Sequence, residues 1–95
     1  MLRMAEAAVP VWDPEDNRPG YLYVRLADHI AALIGAGVLP QDAMLPNERE
    51  MTAEYGVSID TVRRAVQELR DRGLVVTFPS KGTYVAQPGH GTGTS

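Results

Sequence analysis

The stretch PNEREMTAEYGVSIDTVRRAVQELRDRG, residues 46–73, places two helix starts and two helix stops in quick succession. Asn47 can accept a hydrogen bond from the first free amides of a helix, and Glu50 three residues later completes a capping-box pattern. Gly56 can stop that helix and Ser58 can cap the next, which runs to Gly73. Only Tyr55-Gly56-Val57-Ser58 joins the two, so the pair reads as a helix-turn-helix. The first member, about 48–55, is too short to be stable alone and must lean on neighbours through Met51 and Tyr55. The second carries an apolar stripe of Ile59, Val62, Ala65, Val66 and Leu69. At about 100° of rotation per residue, Asp60, Arg63, Arg64, Gln67 and Asp71 fall on the opposite face.

The flanking segments complete an architecture. Leu22, Leu26, Ile30, Leu33 and Ile34 recur at spacings of three and four, which predicts an amphipathic helix over about 21–36, with Gly37 as its stop. Ala43-Met44-Leu45 suggests a brief strand. In LVVTFPSKGTYVA, residues 74–86, β-branched and aromatic runs flank Pro79-Ser80-Lys81-Gly82, the pattern of a β-hairpin with a four-residue tip. Tyr84 is expected on its inner face. The order is mainly α with a small β-hairpin: a winged helix-turn-helix of three helices and a two- or three-stranded wing, spanning residues 21–86. Residues 1–20, with Pro10, Pro14, Pro19 and Gly20, read as an extended arm. Trp12 is expected to anchor that arm to the domain, with a partner interface or disorder as the alternatives. The Gly/Thr-rich residues 87–95 are expected to be a disordered tail.

Composition narrows the function classes. With no cysteine among 95 residues, disulfides and cysteine-ligated zinc are excluded, and a reducing cytoplasmic setting is expected. Arg3 and Glu6 interrupt the N-terminal apolar run, so it is no signal peptide, and no stretch approaches a membrane span. His29 and His90 have no partner at metal-ligand spacing and are expected to be solvated; no cofactor is expected. Ser58 with Asp60 lacks a base and an oxyanion site, so an enzyme is not expected. The net charge is −3, but residues 58–82 carry five basic groups against three acidic ones, a local +2, while the rest of the chain carries −5. Local polarity of this kind is what a binding face uses.

Arg63 and Arg64 sharpen that point. They lie in the N-terminal half of their helix, where the backbone dipole favours acids. A polyanion against the helix reverses the penalty. In a helix-turn-helix the second helix enters the DNA major groove with its N-terminal part toward the bases, and arginine offers a forked donor pair to guanine or phosphate. Lys81 at the wing tip would reach a flanking phosphate or the minor groove. Plainer readings stand beside these: solvated arginines, Asp60 as a dipole-favoured acid, Arg49 paired with Glu50, Glu54 or another surface acid, Lys81 as a soluble turn residue. A protein-interaction module on the same fold is the alternative function.

From Tyr21 to Ala86 the sequence resembles the DNA-binding domain of the GntR family of bacterial transcription regulators. The LP-x-ERE stretch, the GVS turn, the TVRRAV run, the L-x-x-x-GLV exit and the GTYV wing strand carry the resemblance, over about two thirds of the chain. It implies a sequence-specific, double-stranded DNA-binding regulator, expected to be a repressor, with the recognition helix at 58–72 and the wing at 74–86. By position, Arg49 matches a backbone-contacting arginine, Ser58, Thr61 and Arg63 match polar positions at the head of the recognition helix, and Lys81 and Gly82 match the wing tip. Ile59 and Asp60 depart from the arginine and hydroxyl residue of many relatives; Asp60 could accept from a cytosine amino group. Arg64 stands where many relatives have an acid. Asp60, Thr61, Arg63 and Arg64 are therefore the expected base readers, and Arg49, Ser58 and Lys81 the backbone contacts. Homodimer pairing on a palindromic operator is a further expectation. Relatives usually continue into an effector-binding domain; here no effector is expected, whether the chain is an excised domain or, as its start and low-complexity end suggest, a short member.

Overall fold

A computed structural model of the chain describes residues 11–15 and 19–86. Residues 1–10 and 16–18 of the expected arm, and the 87–95 tail with His90, lie outside the described residues. Helices Leu22–Gly35 (α1), Glu48–Tyr55 (α2) and Ile59–Asp71 (α3) precede strands Val75–Phe78 (β1) and Gly82–Val85 (β2). This is a winged helix-turn-helix.

The caps form as the sequence predicts. The Asn47 side chain accepts from the Glu50 amide at 2.8 Å, and the Glu50 carboxylate accepts from the Asn47 amide at 3.0 Å. Each satisfies a donor the helix start would leave open. Gly56 closes α2 in the left-handed conformation, φ 66°. Ser58 Oγ accepts from the Thr61 amide at 3.1 Å, and Gly73, φ 77°, follows the end of α3.

The core gathers Leu26, Ala27 and Ile30 of α1, Met51 and Tyr55 of α2, Val62, Ala65, Val66 and Leu69 of α3, Val75 and Val85 of the hairpin, and Leu45. Burying a side chain such as Leu26, Ile30 or Leu69 contributes about 1.5–3 kcal/mol. Ile59 does not join the stripe; it remains 40% exposed. It opens α3, and the apolar face runs beyond the edge of the core there.

The hairpin differs from expectation in two respects. Gly82 pairs with Phe78 as the first residue of β2, so the tip is Pro79-Ser80-Lys81, one residue shorter. The Lys81 amide donates to the Phe78 carbonyl at 2.9 Å, and Ser80 takes φ 70°, the position a type II turn ordinarily gives to glycine. Second, the register pairs Val75 with Val85 and Val76 with Tyr84. Val75 and Val85 are buried, so alternation puts Tyr84 on the outer face, not the inner one. There it meets the Phe78 ring edge-on, with centroids 5.8 Å apart. Residues 43–45 add a third, short edge: Leu45 N–H donates to Thr83 O and Val85 N–H to Ala43 O, both at 2.8 Å.

Candidate nucleic-acid interface

The two faces of α3 differ in kind. With the apolar stripe turned into the core, the opposite face presents Asp60, Arg63, Arg64, Gln67 and Asp71 to solvent. Arg63 and Arg64 stay 61% and 63% exposed in their side chains. Neither is free, however. Arg63 Nε donates to Glu48 Oε1 at 3.0 Å, across to the first turn of α2. Arg64 Nε lies 3.3 Å from Asp60 Oδ2, one turn back on the same helix. Its guanidinium also sits 5.7 Å from the Tyr23 ring centroid, on α1, a cation–π distance.

Ser58 and Thr61 are occupied with each other. The Ser58 hydroxyl that caps α3 donates to Thr61 Oγ1 at 3.0 Å. Arg49 and Lys81 contrast with the helix arginines: both are exposed, and among the described residues no hydrogen bond or ion pair engages either side chain. The plainer reading of Arg49, paired with Glu50, Glu54 or another surface acid, is not met among the described residues; the Glu50 carboxylate is occupied by the capping box.

Arg70 and Arg72, at the C-terminal end of α3, suit the negative end of the helix dipole, and each also reaches a neighbouring element. Arg70 donates to Gln67 Oε1 at 2.6 Å and to Thr77 Oγ1 at 2.8 Å, and Thr77 meets Thr83 Oγ1 at 2.8 Å. This chain ties the wing to α3. Arg72 bridges Glu68 and Asp28, at 3.0 and 2.8 Å, fixing α3 to α1; its guanidinium pKa is raised by the hydrogen bonds to Glu68 and Asp28. Between the start of α2, the outer edge of α3 and the wing lies an open groove of about 1040 Å³, lined by Glu48, Arg63, Gln67, Arg70, Thr77 and Lys81 among others. Gly82 also borders it. A Cβ on Gly82 would stand 3.1 Å from Met44 Sδ, and its φ is 132°, a backbone conformation that favours glycine there.

The far side of the turn is braced by the arm. Trp12 Nε1 donates to the Tyr55 carbonyl at 2.7 Å, satisfying one of the acceptors α2 leaves open at its end. The indole meets the His29 and Tyr55 rings at centroid distances of 5.4 and 6.0 Å, and Arg25 covers it at 5.8 Å. Trp12 is thus an anchor. His29, expected to be solvated, is instead half-buried in this nest, and burial lowers its pKa against an opposing pull from Glu54.

Sequence reasoning named the exposed residues of α3 and the wing tip but missed Glu48, Tyr23 and Trp12's particular acceptor. Glu48 is a first-turn acid, which the helix dipole favours by itself, and nothing in the linear pattern signals a partner 15 residues away.

Fold and surface define a winged helix-turn-helix protein in which α3 presents its polar face outward. The family model "Bacterial regulatory proteins, gntR family" matches residues 22–85, and the chain belongs to that family. It is 37% identical over 72 residues to the histidine utilization repressor of Klebsiella aerogenes, covering 76% of this chain and 30% of that protein. Over 67 residues it is 34% identical to the HTH-type transcriptional repressor NagR of Bacillus subtilis, covering 70% and 28%. The chain therefore spans less than a third of the length of these relatives. Among solved structures, AraR(DBD) in complex with operator ORX1 superposes with a TM-score of 0.69 at 28% identity, over 81% of this chain and 93% of that one. YtrA from Sulfolobus acidocaldarius, a GntR-family transcription factor, gives 0.69 at 32% identity, over 83% and 81%. No helix among the described residues is long and apolar enough to cross a membrane.

Proposed function

We propose that the chain is a sequence-specific, double-stranded DNA-binding transcriptional regulator, acting as a repressor without catalysis. Residues 21–86 are the binding unit. In this reading α3 enters the major groove, Arg63, Arg64, Asp60 and Thr61 meet base edges, and Arg49, Ser58, Lys81 and Gly82 lie along the backbone or the minor groove beside the wing. The observation that carries the reading is the outward face of α3, with two exposed arginines, together with Arg49 and Lys81, exposed cations with no side-chain partner among the described residues. The relatives named as repressors and the operator-bound AraR(DBD) support the same direction.

One such module makes few phosphate contacts, so two copies on a palindrome, with half-sites about one helical turn apart, would bind far more tightly than one. Selection of bound sequences from a random duplex pool tests the whole reading. A palindromic consensus is expected, with affinity falling steeply as salt rises because counterions are released. No enrichment, with salt-insensitive binding, would favour a protein-interaction module instead.

A further inference from the structure

Resting on the DNA-binding reading, we infer that Glu48 is a specificity-determining positioning residue: it holds the Arg63 guanidinium by one edge, presents the other to a base, and discourages capture by phosphate. The geometry is particular. Glu48 Oε1 takes the Nε–H at 3.0 Å, while neither terminal nitrogen of Arg63 has a partner among the described residues. A guanidinium held at Nε keeps its end-on pair of N–H donors parallel and available, the arrangement that a guanine O6/N7 edge accepts. Glu48 comes from α2 and Arg63 from α3, so the bridge also references the fork to the body of the domain rather than to a long flexible stem.

Charge gives the second half of the inference. A free arginine on this face would bind any phosphate. With a carboxylate beside it the local charge is close to zero, so sequence-independent attraction is weakened and a patterned acceptor pair becomes the better partner. Among the described residues no carboxylate pairs with Arg49 or Lys81, and these remain the carriers of general affinity.

These two effects have opposite signs on different duplexes, which makes the inference testable. Wild type, Glu48→Ala and Glu48→Gln are titrated against the duplex recovered by selection and against a scrambled one, across a salt series. Glu48 is 48% exposed in its side chain, so both variants are expected to fold, with thermal melts as the check. For Glu48→Ala, affinity for the scrambled duplex should rise about threefold with a salt slope steeper by about one, while affinity for the selected duplex falls; discrimination drops by about tenfold, within what one bidentate arginine supplies. Glu48→Gln keeps an acceptor oxygen, so it should raise scrambled binding yet retain most of the discrimination. In an Arg63→Ala background, Glu48→Ala should leave the discrimination ratio unchanged. A single common factor on both duplexes for Glu48→Ala would make Glu48 a mere surface charge and overturn the inference. Wild type failing to distinguish the duplexes would instead remove the DNA-reading proposal beneath it.

Discussion

The two faces of α3 are built on different principles. Inward, Val62, Ala65, Val66 and Leu69 are buried together with residues from every other element; each is held by many weak contacts that no single neighbour controls. Outward, Arg63 and Arg64 each meet one carboxylate, from Glu48 and Asp60, in water, where an exposed ion pair contributes little to stability. The inward face therefore sets whether the domain folds. The outward one is nearly neutral for folding and free to be spent on a partner. Loss of stability and loss of discrimination should separate cleanly along this helix.

The sharpest test of that separation is Leu69→Ala. It removes a fully buried side chain, and denaturant unfolding should show a loss of about 2–5 kcal/mol. Among molecules that remain folded at low temperature, discrimination between duplexes should be intact; a selective loss would mean that the two faces are coupled. Arg63→Ala should do the reverse. On the selected duplex it should cost about 1–3 kcal/mol of binding and relax one base position, while unfolding free energy stays within about 0.5 kcal/mol of wild type.

Smaller effects test the edges of the comparison. Arg49→Ala and Lys81→Ala should weaken selected and scrambled duplexes alike, each lowering the salt slope by about one. Unequal effects on the two duplexes would give these residues a reading role. The smallest effect concerns His29, on the braced side of the turn. Burial favours its neutral form, so its folded pKa lies below the ordinary 6.5. As pH falls through that range the unfolded chain takes up the proton first, and stability declines. Thermal melts between pH 7 and 5 should show a decline that His29→Gln reduces; an identical pH profile in the variant would show that the histidine is not the titrating group.

Much of this arrangement is legible in the linear chain. Asn47, Glu50, Gly56 and Ser58 each satisfy or release backbone groups within four residues of themselves, so their roles can be read without knowing the fold. The spacing of Val62, Ala65, Val66 and Leu69 similarly dictates which side of α3 turns inward. The departures arise where such local rules meet an edge. Ile59 has the right period but stands past the end of the core. Tyr84 has the right residue type for an inner face, but the pairing of Gly82 with Phe78 shortens the tip and the alternation then carries it outward. His29 looked solitary because its neighbours Trp12 and Tyr55 are far from it in the chain.

By itself, then, the sequence determined the helices, their caps, the turn and the set of residues exposed on α3, since these depend on interactions a few residues long that repeat with fixed geometry. Tertiary structure alone decided that Glu48 meets Arg63 across 15 residues, that Trp12 meets the Tyr55 carbonyl across 43, and that Arg72 reaches Asp28. Exposed ionic side chains have several acceptable partners of nearly equal energy. Which one each takes is settled by where the packed core sets the helices.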